Sequence, residues 1–149
     1  QFRHDKSARG GPHGAGGDVH APGFYVHAEP GRIYVGAGMW MPPAAQLKAV
    51  RDRIAQQTAD WRRAITGKEF MAAFGGLSDD AAYTLKRPPK GDEPAQPAIA
   101  DLKRTSFVFG VEVRESAARK PGFIDEVEAA FRAARPPMRF LCGALGLAF

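Results

Sequence analysis

Five side chains between positions 25 and 34 carry the groups that acid–base and anion chemistry use. Tyr25, His27 and Glu29 alternate along one run, and Arg32 and Tyr34 alternate along the next. Histidine is the side chain that most often serves as general acid or base, so His27 is the candidate, with Glu29 or Tyr34 to orient it. Arg32 offers a planar fork for a carboxylate or phosphate. The same five residues equally describe a solvated sheet face, where cross-strand pairs add at most ~1 kcal/mol each. Either reading requires the two runs to pair so that all five share a face.

The runs are Phe24-Tyr25-Val26-His27-Ala28-Glu29 and Arg32-Ile33-Tyr34-Val35-Gly36-Ala37, both rich in β-formers and joined by Pro30-Gly31. Folding about Pro30-Gly31 pairs Ala28 with Ile33, Val26 with Val35 and Phe24 with Ala37, all apolar, and Phe24, Val26, Ala28, Ile33 and Val35 are expected to face the core. The opposite face then pairs Glu29 with Arg32, His27 with Tyr34 and Tyr25 with Gly36. Strand side chains alternate, so a one-residue slip would mix the faces, and the register is specified. Pro-Gly prefers a type II turn, whose twist suits a two-residue hairpin poorly, so a four-residue loop from Glu29 to Arg32 is also compatible.

Beyond the hairpin, Pro42-Pro43 ends the second strand and opens a helix. Leu47, Val50, Ile54, Trp61 and Ile65 follow at helical spacing to Thr66-Gly67. Lys68 to Phe74 forms a short helix stopped by Gly75-Gly76, residues 77–98 are proline-rich loop, and Phe107, Phe109, Val111 and Val113 alternate as a strand. After Pro121-Gly122, Phe123, Val127 and Phe131 define a helix that Pro136-Pro137 is expected to break, leaving a last apolar helix from Met138 to Leu145. This is an α+β pattern: an antiparallel sheet built on a central β-hairpin, packed with several helices, in one domain over residues 1–149.

The chain carries a net charge of +5 with a pI near 9.7. Its cations are dispersed and interrupted by acids, whereas a dedicated nucleic-acid domain concentrates them on a stripe. Nucleic acid is therefore a possible partner that the pattern does not favour. Two groups stand out as candidate anion clamps: Arg3, Asp5 and Lys6 beside His4, and Lys86-Arg87 with Lys103-Arg104. The four histidines show no tight ligand spacing, so no metal site is expected. Cys142, the single cysteine, lies in an apolar run and reads as a buried structural thiol. Gly36-Ala37-Gly38 lacks the third glycine of a dinucleotide loop and reads as a bulge or a close backbone approach. No cofactor motif, signal peptide or membrane-length apolar run is visible, so a cytoplasmic location is the default expectation.

Arg3-His4-Asp5-Lys6-Ser7, Pro22-Gly23-Phe24-Tyr25-Val26-His27, Gly36-Ala37-Gly38-Met39-Trp40-Met41-Pro42, Leu47 with Val50-Arg51, Leu85-Lys86-Arg87-Pro88-Pro89-Lys90-Gly91 and Asp101-Leu102-Lys103-Arg104 come in this order. Together they resemble the uncharacterised family catalogued as domain of unknown function 2461, typical of bacterial and fungal proteins. Members of that family carry an amino-terminal helical segment and continue from Asp-Lys-Ser into Pro-Tyr-Lys. The resemblance therefore implies that an amino-terminal segment and some loop residues are absent here. It implies no activity. The residues themselves leave two expectations: a binding or interaction module for an anionic small molecule or phosphate-bearing partner, or an enzyme using His27 as acid or base on a small anionic substrate.

Overall fold

The glycine of the Pro30-Gly31 turn sits at φ 82°, a backbone conformation that favours glycine, and it reverses the chain within two residues. In a computed structural model that describes residues 20–79, 81–91 and 96–149, β1 (Gly23–Glu29) and β2 (Arg32–Met39) flank that turn. Pairing continues to Glu29 and Arg32, so the tight turn forms and the wider loop does not. The register is the one the alternation specifies, including Ala28 with Ile33, Val26 with Val35 and Phe24 with Ala37.

β3 (Phe107–Val113) adds antiparallel to the other edge of β2, giving a three-stranded sheet in the order β1-β2-β3. The β2–β3 register sets Val35 beside Val111, Ala37 beside Phe109 and Met39 beside Phe107 on the core face. Glu112, Gly110 and Val108 join the opposite face with Tyr34, Gly36 and Gly38.

Helices α1 (Ala44–Gln56), α2 (Thr58–Thr66), α3 (Lys68–Phe74) and α6 (Phe123–Ala144) contribute most of the remaining core, with Ala98 and Leu102. Two shorter helices, α4 (Ile99–Leu102) and α5 (Glu115–Ala118), flank β3 in sequence. Trp61 of α2 meets Phe107 edge-on at 5.7 Å and Phe140 at 5.0 Å. Phe70 and Phe74 of α3 close on Phe109 at 4.9 and 5.1 Å. Aromatic pairs in such edge-to-face arrangements add to simple area burial. The fold class is α+β, as the pattern of elements indicates.

Three local expectations change. The helix expected through Leu47 to Ile65 divides at Gln57 (φ −126°, ψ 45°), and the Thr58 hydroxyl donates to the Ile54 carbonyl at 2.8 Å. No glycine or proline marks that break, and Ile54 and Trp61 keep one helical phase and stay buried. The helix expected to end at Pro136-Pro137 instead runs on for 22 residues. Neither proline can donate to the carbonyl four residues earlier, but Ala133, Ala134, Met138 and Leu141 share a buried face across them. Packing of that face outweighs the lost hydrogen bonds. Finally, Phe24, Val26 and Ala28 lie on the core side of β1 yet stay exposed, Phe24 and Val26 at 40% and 48%. Phe24 touches Phe131 of α6 and Phe149, while the core aromatics gather over β2 and β3.

Candidate functional site

The opposite face of the sheet has two halves of different character. At the turn end, His27 Nε2 lies 3.4 Å from Glu29 Oε2, and Arg32 Nη1 lies 3.7 Å from Glu29 Oε1. The Arg32 Nε also pairs with Glu112, which β3 places diagonally opposite. All four side chains are 42–61% exposed, a regime in which ion pairs contribute at most about 1 kcal/mol. The turn itself is held from outside the sheet. Gly31 N–H donates to Glu115 Oε2 at 2.8 Å, and this bond, helped by Arg119, holds the Glu115 carboxyl below its ordinary range. Glu115, Ser116 and Arg119 also line an open depression there.

Toward the middle of the sheet the face becomes aromatic. The rings of Tyr25 and Tyr34 stack at 5.8 Å with 20° between their planes. They lie close against backbone because the strands beneath carry glycine. A Cβ at Gly36 would come within 2.8 Å of both rings, and one at Gly110 would fall inside the van der Waals envelope of the Tyr34 phenol. Gly36 and Gly110 are register partners, so the Tyr34 ring spans both strands. Of the bulge or close backbone approach expected in Gly36-Ala37-Gly38, the backbone approach occurs at Gly38, against the Phe107 carbonyl.

Burial raises the Tyr25 phenol's pKa well above the ordinary range, and the neighbouring phenols of Tyr34 and Tyr83 raise it further. Tyr83 ends a one-turn 3₁₀ helix, Ala81–Tyr83.

The two Leu-Lys-Arg segments come together. Thr84 and Arg104 form an antiparallel bridge, Leu85 N–H donates to the Lys103 carbonyl at 2.8 Å, and Thr105 N–H donates to the Tyr83 carbonyl at 2.7 Å. Lys86 and Arg87 are exposed and Lys103 is half-buried, and among the described residues none of them makes an ion pair. Arg104 differs. Its Nε contacts Asp101 Oδ1 at 3.2 Å and its Nη1 donates to the Ser78 carbonyl at 2.8 Å. Asp101 also accepts from Trp61 Nε1 at 3.0 Å, and Arg51 donates to the Arg104 carbonyl at 2.8 Å. This network ties α1, α2, α4 and the loop before β3, and it gives Arg104 a structural setting.

Thus Tyr25 and Tyr34 meet each other, His27, Glu29 and Arg32 meet at the turn, and Lys86, Arg87 and Lys103 share one loop edge. Arg3, His4, Asp5 and Lys6 lie outside the described residues. Among those described, no group of three or more His, Cys, Asp or Glu side chains could hold a metal ion. No described helix is long and apolar enough to cross a membrane. Cys142 is buried, and burial raises its thiol pKa.

The family model described as "Conserved hypothetical protein (DUF2461)" matches residues 2–140. The chain belongs to this family. No curated protein matches it, and no solved structure does. Membership therefore brings no assigned activity to these residues, and their chemistry has to be argued from geometry.

Sequence reasoning missed four participants. Glu112 was accessible to it, because alternation from Phe109 and Val111 puts residue 112 on the polar face. Gly110 follows from the same alternation, but its role depends on where Tyr34 lies. Tyr83 and Asp101 sit in a loop and a four-residue helix, which carry no periodic signal.

Proposed function

We propose that the chain is a binding module for an anionic partner, which docks on the loop edge formed by Lys86, Arg87 and Lys103. The observation that carries this reading is the backbone pairing of residues 84–85 with 103–104, which joins cations that lie 16 or more positions apart in sequence. Arg32, Lys48, Arg63, Arg104, Arg119 and Arg132 are matched with carboxylates, but these three are not among the described ion pairs. Cations that make no ion pair among the described residues raise the local potential and favour a phosphate or carboxylate.

The alternative, acid–base catalysis by His27, has less support. Glu29 and Glu112 already neutralise Arg32, which leaves the turn end without spare positive charge to hold an anionic substrate.

The test is an NMR titration of the protein with inorganic pyrophosphate. Saturable shifts should appear at the Lys86, Arg87 and Lys103 amides and weaken as salt is raised. A K86A/R87A/K103A variant should bind at least about tenfold more weakly, the loss of charge-assisted bonds worth about 1.5–3 kcal/mol each. Equal binding by that variant, or shifts spread evenly over the exposed cations, would overturn the proposal.

A further inference from the structure

β1 is an edge strand, and its outer side offers hydrogen-bonding groups to whatever can pair with it. Glu29 and Arg32 flank a two-residue turn and therefore form a hydrogen-bonded pair. Alternation then turns the backbone groups of Glu29, His27 and Tyr25 toward β2, and those of Ala28, Val26 and Phe24 outward. Carried across the sheet, the same alternation turns Val108 outward from β3, where its carbonyl accepts from Ser78 N–H at 2.8 Å. The β3 edge is thus partly capped. At β1, among the described residues, no loop or helix hydrogen-bonds to the backbone of Phe24, Val26 or Ala28.

Edge strands that stay unpaired are commonly guarded by lysine, proline or a bulge. Between Gly23 and Glu29 there is no lysine or proline, and the register with β2 runs without a bulge. Pro22 and Pro30 bound the strand on either side instead. Phe24, Val26 and Ala28 are also exposed, so open backbone and apolar side chains belong to the same three residues.

An antiparallel partner must set its own outward residues opposite these three, and β1 itself meets that requirement. About a two-fold axis at Val26, Val26 faces the partner's Val26, and Phe24 faces the partner's Ala28, large against small. Tyr25 faces the partner's His27 on the other side of the sheet. Glu29, the one acid of β1, faces the partner's Gly23 and not its own copy. An axis at Tyr25 or at His27 would set an outward residue against Pro22 or Pro30, which have no N–H to donate. The second of these would also oppose His27 to itself. The axis at Val26 alone uses every outward group.

From this self-complementarity we infer that the chain pairs with a second copy of itself through β1, antiparallel and centred on Val26. The two three-stranded sheets then become one continuous sheet with an isologous interface.

Sedimentation equilibrium tests this on the unaltered chain, whose single copy is 16.1 kDa. The mass should rise toward twice that value as concentration is raised from low micromolar to near millimolar. The amides of Phe24, Val26 and Ala28 should gain protection from hydrogen exchange in step with it. V26K and V26E each set two like charges at the axis and should weaken association at least about tenfold. Mixed in equal amounts, the two variants should pair again, because residue 26 then meets the opposite charge. Val26 is 48% exposed, so both substitutions spare the core, which native amide spectra check. A single-copy mass at every concentration would overturn the inference. Protection of those amides in the monomer would do the same, since another part of the chain would then cover the edge. A dimer that V26K leaves unchanged, or variants that stay apart when mixed, would put the contact elsewhere and also overturn it.

Discussion

Glycine positions govern the tyrosine face at the residue scale. Gly110 and Gly38 both sit where a side chain has no room, but the obstacles differ. At Gly110 the obstacle is the Tyr34 ring, a side chain that can swing away. At Gly38 it is the backbone of Phe107 and Val108, and φ is 132°, outside the range most residues adopt. G110A is therefore expected to cost about 1–3 kcal/mol, the usual range for overpacking, and to displace the tyrosine rings. G38A should cost more, because strained dihedrals add to the clash. Urea denaturation of both variants checks the order, and a G110A loss equal to or above that of G38A would contradict it. Of this site, the shared face of Tyr25, His27, Glu29, Arg32 and Tyr34 was legible from alternation alone. The flattening of the rings was not, because it depends on Gly110, 76 positions beyond Tyr34.

At the scale of elements, the hairpin and α6 show opposite relations between local signal and outcome. In the hairpin, β-propensity, alternation and a glycine turn agree, and the register follows. In α6 local chemistry and packing conflict: Pro136-Pro137 opposes a helix that the buried face requires. Pro136 is exposed, so P136A restores a donor to the Arg132 carbonyl without disturbing the core. It is expected to stabilise the protein by about 1–2 kcal/mol, less than the full ~3 kcal/mol helical penalty of proline because the unfolded chain gains freedom. Pro137 is fully buried, so P137A restores a donor but opens a gap, and it should gain less. Thermal melts of the two variants distinguish them, and a destabilised P136A would refute this account of α6.

Among the described residues, the whole molecule sorts the basic side chains into those held in ion pairs between or within elements and those that make none. Arg104 and Asp101 are only 14% and 19% exposed and bridge elements that are distant in sequence. R104A should cost about 2–4 kcal/mol, since it leaves the Asp101 carboxylate and the Ser78 carbonyl short of a partner in a mostly buried setting. K86A/R87A/K103A should change stability by no more than about 0.5 kcal/mol per site while weakening anion binding. Chemical denaturation of both variants tests the division, and comparable losses would erase it.

The sequence by itself determined the hairpin, its register and its two faces, because pleating and turn chemistry act over neighbouring residues. It also determined the α+β class, because the spacing of apolar residues reports each element's period. Only the tertiary structure decided that α6 continues through two prolines, since the packing that outweighs them comes from other elements. It alone joined residues 84–85 to Lys103 and Arg104 and tied Arg104 to Asp101 and the Ser78 carbonyl. Such contacts form between segments joined by irregular loops, whose path leaves no periodic trace in the chain. The polar face read from positions 25 to 34 thus divides into a solvated ion-pair ladder at the turn and a stacked tyrosine pair over Gly36 and Gly110.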